Sequence, residues 1–271
     1  MTIPFVKYHG AGNDFIMVDQ RAQQWINRTD KALVAALCHR RFGIGADGLI
    51  LLQHAAEHGY EMVYFNADGG ESTLCGNGGR CFVAFAKHLG IADDTFHFLA
   101  VDGPHEATIA AHPDGAAHHE WVELHMNDVR RIEQAEDEVF VLNTGSPHYI
   151  AFEKNISAQD MVQKGRAVRY SDRFRDGGIN VNLVEENAPN ALSIRTYERG
   201  VEDETLACGT GVTAAAIAYV HKNGNPGAHY IPVKALGGDL GVRLQYNADG
   251  TFSQIWLCGP AQRVFEGSVP A

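Results

Sequence analysis

Glu71-Ser72-Thr73-Leu74-Cys75-Gly76-Asn77-Gly78 and Glu204-Thr205-Leu206-Ala207-Cys208-Gly209-Thr210-Gly211 are two copies of one pattern. Each has an acid four residues before a cysteine, then Gly-x-Gly, then an apolar, alanine-containing run. Two matched thiols on two matched loops suit a reaction that needs a proton carrier on each face of a substrate. Inverting a stereocentre has that requirement. The offset from Cys75 to Cys208, 133 positions, also pairs Gly12 with Gly145, Gly45 with Gly178, Asp47 with Asn180 and Phe65-Asn66 with Glu198-Arg199. Such self-similarity marks an internal duplication. It predicts two domains of ordinary size, residues 1–115 and 116–261, with the tail 262–271 assigned to the first. The boundary is expected in the polar, His-rich stretch from His112 to Glu120.

Working outward, short strand-like runs alternate with a few helices. Val6–His9 and Phe15–Asp19 flank the turn His9-Gly10-Ala11-Gly12-Asn13-Asp14. Thr29 or Asp30 caps a helix expected to reach Arg41, with Gly43 as its stop. Leu49–Leu52 and Glu61–Phe65 read as strands, and a helix is expected over Gly78–Leu89. The second half repeats the order, with strands near Val139–Leu142 and Tyr149–Phe152 and a helix over Ala158–Arg166. Strands at Asn180–Val184 and Leu192–Tyr197, a helix over Val212–Lys222 and terminal hairpins follow. No regular βαβ rhythm appears, so the fold class is α+β with mixed sheets.

The two helices after the cysteines have little polar face, as in Cys81-Phe82-Val83-Ala84-Phe85-Ala86 and Val212-Thr213-Ala214-Ala215-Ala216-Ile217-Ala218. A helix apolar all round is buried within its domain. Where such a helix opens on Cys-Gly-x-Gly, its N–H groups and partial positive charge converge on one spot that glycine lets a ligand approach. That is an anion site, and it lowers a nearby thiol from its usual value of about 8.5 toward neutrality. A turn with a buried structural cysteine is the alternative for one such loop; a matched pair favours chemistry.

Composition excludes other classes. A net charge of −11 makes a nucleic-acid backbone an unsuitable partner. No apolar run approaches the ~20 residues that span a membrane, and the N-terminus lacks a signal-peptide pattern. Five cysteines without that signal read as reduced thiols, which points to the cytoplasm.

Gly12-Asn13-Asp14-Phe15, Gly43-Ile44-Gly45-Ala46-Asp47-Gly48, Phe65-Asn66-Ala67-Asp68-Gly69, Cys75-Gly76-Asn77-Gly78-Gly79-Arg80-Cys81 and Glu198-Arg199-Gly200 through Ala207-Cys208-Gly209-Thr210-Gly211 resemble, in order, the diaminopimelate epimerase family. The resemblance implies an isomerase independent of pyridoxal phosphate that interconverts L,L- and meso-2,6-diaminopimelate, on the route to lysine and peptidoglycan precursors. It implies two pseudo-symmetric domains, each a curled, mainly antiparallel sheet around a central helix, with the active site in the cleft between them. Cys75 and Cys208 would be the two bases, assisted by His148 and Glu198. Asn13, Asn66, Asn77, Asn180, Glu198 and Arg199 would grip the ammonium and carboxylate groups at the two ends of the substrate, and backbone groups of Gly76, Gly209 and Thr210 would bind the reacting carboxylate. Ser146 and Gly48 depart from the family pattern, where Asn and Gln occur; both shorten a polar reach that water would fill. No cofactor or metal is implied, the only partner is the small-molecule substrate, and a homodimer stays open.

Three other patterns take a plainer reading. Gly43-x-Gly45-x-x-Gly48 matches a dinucleotide fingerprint literally, but it follows a helix and enters a strand, the reverse of what that motif requires. His112, His118, His119 and His125 lack compact ligand spacing and read as loop residues. Cys38, Cys81 and Cys258 lack the loop context and read as small buried residues. Two alternatives to the leading function are another two-cysteine isomerase, proline racemase-like, and a thiol redox protein using Cys75 and Cys208 as a disulfide couple.

Overall fold

The computed structural model describes residues 2–56, 59–91, 95–111, 115 and 119–270. His112, His118, Asp93 and Asp94 lie outside them. The chain divides into two units, Met1–Leu124 with Gly259–Ala271, and His125–Cys258.

The first unit begins with strands β1 (Thr2–Gly10) and β2 (Asn13–Asp19), then helix α1 (Lys31–Cys38). Strands β3 (Gly48–Ala55), β4 (Gly59–Asn66) and β5 (Glu71–Ser72) lead to helix α2 (Gly76–His88), followed by β6 (Thr95–Ala100), β7 (Gly103–Ala110) and β8 (Glu120–Met126). Strand β9 (Ile132–Glu136) opens the second unit. It continues with β10 (Val139–Asn143), β11 (Pro147–Phe152), a 3₁₀ turn at Ile156–Ala158 and helix α3 (Met161–Arg169). Then come β12 (Asn180–Ala188), β13 (Ala191–Glu198), β14 (Asp203–Thr205), helix α4 (Gly209–Asn223), β15 (Gly227–Ala235), β16 (Gly238–Tyr246) and β17 (Phe252–Pro270).

From β1 to β8 and from β10 to β17 the elements correspond one to one, and so do their pairings. Strands β2 and β3 are parallel, as are β11 and β12. Strand β4 pairs antiparallel with β3 and β5 and parallel with β6; β13 does the same with β12, β14 and β15. The hairpins β6–β7 and β15–β16 complete the set. The glycine pairs of the sequence repeat share a backbone role too. Gly12 and Gly145 have φ of +86° and +110°, Gly45 and Gly178 +82° and +72°, a region closed to most side chains. This is a duplicated α+β fold.

Each unit buries one helix on each face of its sheet. Leu49–Leu52 are all buried, because period-2 alternation sends Leu49 and Leu51 to the α1 side and Ile50 toward α2. In the second unit Val181 and Leu183 pack with Met161 of α3, while Asn180 and Asn182 face the other way. Helix α2 packs on β1, β2, β3, β4 and β7, and α4 on β10, β11, β12, β13, β15 and β16. Both are buried along most of their length, as their lack of a polar face predicts.

The element ends differ from the sequence reading in instructive ways. Helices α2 and α4 begin at Gly76 and Gly209, not Gly78 and Val212, so each cysteine is itself the N-cap. Helix α1 stops at Cys38 rather than Arg41, because the Ile44 and Gly45 N–H groups fold back onto the Leu37 carbonyl. Helix α3 starts at Met161 rather than Ala158, where Asp160 caps it by accepting from the Gln163 N–H. The unit boundary falls at Leu124/His125 rather than 115/116, because Trp121–Leu124 pair with β7. The other crossing is inside β17, whose residues 252–258 pair with β16 and residues 262–270 with β1. Among the described residues no helix is long and apolar enough to cross a membrane.

Candidate active site

In the first unit the site grows from the turn after β5 into α2. Cys75, at φ −92° and ψ 125°, makes no capping hydrogen bond with its side chain. Its Sγ is 3.5 Å from Asn13 Oδ1, and Asn77 Nδ2 donates to the same oxygen at 3.4 Å. The Asn13 amide has a defined orientation, since its Nδ2 donates to Asp47 Oδ2 at 2.7 Å. Behind it Arg40 bridges Asp14 and Asp47, and buried Lys7 pairs with Asp14 at 2.8 Å. Burial opposes the charge on Asp14, but the Arg40 and Lys7 contacts outweigh it and hold its carboxyl well below the usual range. Arg80, fully buried one turn into α2, donates to Asn77 Oδ1 at 2.8 Å and to the Gly76 carbonyl. Asn13, Cys75, Gly76 and Asn77 thus converge. Asn66, at the end of β4, accepts from the Tyr64 hydroxyl at 2.8 Å and is paired in register with Gly48, which is itself paired with Phe15 of β2. At Gly48 a Cβ would stand 2.5 Å from the Phe65 carbonyl and 2.6 Å from the Tyr64 ring.

In the second unit Cys208 caps α4 in the same way, at φ −109° and ψ 110°. Its Sγ is 3.4 Å from Thr210 Oγ1, which is 2.9 Å from His148 Nε2. The Thr144 hydroxyl holds the Thr210 carbonyl at 2.8 Å. His148 is fully buried; burial first, then the Arg199 charge, pull it down to about 3, so its imidazole is neutral. A second group sits at the ends of β12 and β13. Asn180 donates to Ser146 Oγ and the Pro147 carbonyl, and its Oδ1 accepts from the Arg199 N–H at 2.8 Å. The Arg199 guanidinium donates to the Gly177 carbonyl at 3.0 Å. A Cβ at Gly178 would lie 2.5 Å from Arg199 Cδ, so a glycine there makes room for this side chain. Burial pushes the Glu198 carboxyl up.

The repeat reaches side-chain contacts. Asn13 with Asp47 and Ser146 with Asn180 are equivalent positions under the same offset, and both pairs are hydrogen-bonded. Sequence reasoning did not single out Asn182, Thr144 or Arg80 as site residues; Asn182 carried a usable signal, since strand alternation from Asn180 puts it on the same face. Of the remaining cysteines, burial raises Cys38 to about 12 and Cys81 beyond the usual thiol range. Cys258 is buried, with Sγ 3.5 Å from the Trp256 carbonyl. Gly43-x-Gly45-x-x-Gly48 runs from α1 into β3.

The fold is a duplicated α+β one in which each half opens its buried helix on a cysteine, and the relatives that share its sequence throughout are isomerases. The chain belongs to the diaminopimelate epimerase family, whose model matches residues 5–130 and 140–264. A diaminopimelate epimerase of Flavobacterium psychrophilum is 47% identical over 97% of this chain and 98% of its own length. One from Chlorobaculum tepidum is 43% identical over 96% and 98%. Among solved structures, a Bacillus anthracis phenazine biosynthesis protein of the PhzF family superposes with a TM-score of 0.79 at 14% identity, covering all of both chains. A probable proline racemase from Agrobacterium radiobacter superposes at 0.71 and 15%, covering 99% of this chain and 93% of that one. At those identities the likeness is one of fold.

Proposed function

We propose that this enzyme interconverts L,L- and meso-2,6-diaminopimelate, with Cys75 and Cys208 as its two proton carriers. The observation that carries the reading is the duplicated placement of a cysteine as N-cap of a buried helix. One thiolate takes the α-proton, and the other thiol returns a proton to the opposite face. A single base would tend to hand the proton back to the face it came from.

The chemistry demands stabilisation of the carbanion, whose charge spreads onto the α-carboxylate. Backbone N–H groups of Gly76, Asn77, Gly209 and Thr210 are the proposed donors to that carboxylate; one well-aimed donor of this kind is worth about 3 kcal/mol in a transition state. A helix end by itself shifts a neighbouring charge by only about 1 kcal/mol, less than one pKa unit. Hydrogen bonds at the sulfur, about 1.5–3 kcal/mol when one partner is charged, therefore decide which thiol ionises. No cofactor enters the step.

Arg199, Glu198 and Asn66 are the proposed clamp for the second amino-acid head group. The Asn180 amide supports them by holding the Arg199 backbone and Ser146. Arg199 suits a carboxylate by its forked donors. Such an enzyme serves lysine and peptidoglycan precursor synthesis, and we assign it to the cytoplasm.

Incubation with L,L-diaminopimelate in deuterated water tests the reading. The expected result is meso isomer carrying deuterium at the inverted carbon. Proline should not exchange, and lysine should exchange only very slowly. Failure to form meso isomer, with intact protein, would overturn the assignment.

A further inference from the structure

The hydrogen-bond directions around each cysteine are set by amide groups whose orientation is unambiguous. Asn182, on β12, presents Nδ2 to the Tyr149 carbonyl at 3.0 Å and to His148 Nδ1 at 3.1 Å, with the Asn180 carbonyl at 3.5 Å. Its Oδ1 accepts from the Thr196 hydroxyl at 2.9 Å. Turning the amide over would set its oxygen against two carbonyls. Nδ2 therefore donates to His148 Nδ1, and that nitrogen carries no proton. The imidazole is buried and neutral, so its single proton is on Nε2, directed at Thr210 Oγ1. With that bond made, the Thr210 hydroxyl proton is not consumed by His148 and can turn to Cys208 Sγ. The opposite tautomer would take the threonine proton and leave the sulfur with an acceptor.

The first unit has the reverse polarity. Asp47 holds the Asn13 Nδ2, so Asn13 turns its oxygen, an acceptor only, to Cys75. That favours an S–H at Cys75.

We infer that Asn182 is a positioning residue that fixes the Nε2–H tautomer of His148, makes the Thr210 hydroxyl a donor to Cys208 and so sets Cys208 as the resting thiolate, while Asp47 through Asn13 keeps Cys75 as the resting thiol. The inference deepens the proposed function and rests on its choice of the two cysteines as proton carriers. It also explains Gly211, where a Cβ would come within 2.5 Å of Asn182 Oδ1 and 3.3 Å of His148 Cε1. The charged groups nearby are Arg199 and Glu198 in the second unit, and Lys7, Asp14, Arg40, Asp47 and the buried Arg80 in the first.

Two measurements on the full chain test it without using turnover. Nitrogen-15 NMR of His-labelled protein reports the tautomer, and iodoacetamide labelling against pH, read by peptide mapping, reports each thiolate. The expected wild type has the Nε2–H form at His148 and alkylates Cys208 at lower pH than Cys75. Thr210→Val and Asn182→Asp, the latter putting an acceptor where the donor was, should raise the Cys208 midpoint by about one pH unit. Thr210→Ser keeps the hydroxyl and should stay at the wild-type midpoint, and the Cys75 midpoint should not move in any of the three. An Nδ1–H tautomer, Cys75 alkylating before Cys208, or an unmoved Cys208 midpoint in folded Thr210→Val would each overturn the inference. The first two need only wild-type protein, so a misfolded variant leaves the test intact. A failure to epimerise diaminopimelate would count against the substrate and not against this wiring.

Discussion

At the scale of single residues, burial and hydrogen-bond direction separate side chains of the same type. Cys38 and Cys81 are raised by burial, while Cys75 and Cys208 cap helices and have polar partners. Cys75→Ala and Cys208→Ala should each abolish epimerisation with the circular-dichroism spectrum unchanged; near-normal turnover by either would remove the two-base scheme. Arg199→Ala should cost about 2–5 kcal/mol in kcat/KM for diaminopimelate, since the charged contact that bound substrate would bury against this exposed guanidinium is lost and the remote end no longer positions the reacting carbon. Lysine, lacking the distal carboxylate, should be a very poor substrate that loses little more in the variant. Equal losses for both compounds would move Arg199 to the reacting end. His148 makes a prediction about acid. Its folded value lies below the ordinary 6.5, so between those values the unfolded chain binds a proton that the folded protein does not. Stability should therefore fall as pH drops from 6.5 toward 3, by about 1.4 kcal/mol per pH unit from this group alone. Urea midpoints of wild type and His148→Gln at several pH values check this, with a shallower acid slope expected in the variant.

At the scale of elements, the positions and types of the helices were readable because buried helices lack a polar face and the capping residues are local. Their starting residues were less readable. A cysteine at an N-cap has no strong statistical signature, so the helix start had to be seen, and the start is what brings the thiol next to the N–H groups. Close approach between elements was also hidden. Gly165, in α3, leaves room for Tyr197 of β13, and a Cβ there would lie 2.4 Å from the Tyr197 Cβ and Cγ. Helix propensity favours Gly165→Ala by about 1 kcal/mol, but overpacking costs about 1–3 kcal/mol and should win. Denaturant titration should show Gly165→Ala less stable than wild type; a stabilised variant would mean that α3 shifts on its strands at little cost.

At the scale of the whole molecule, the duplication governs connectivity. The last strand leaves one unit and ends in the other, where Thr2–His9 pair with residues 262–270 and Phe265 meets Phe5 edge-on at 5.9 Å. Deleting residues 264–271 should therefore unprotect β1 amides in hydrogen exchange and leave those of β12 and β13 protected; uniform loss of protection would show that the units unfold together. The α+β class and the pairing of two cysteine loops followed from the chain alone, because repeats, helix periodicity and glycine at left-handed positions can be aligned along the sequence, and the family followed from the resemblance of its motifs. The unit boundary past Trp121, the convergence of Asn13 with Cys75, and the Asn182–His148–Thr210 chain did not. They depend on strand register and on which hydrogen-bonding atom of an amide or imidazole faces which neighbour. Those choices join residues tens of positions apart and are settled only when burial forces every donor to find an acceptor.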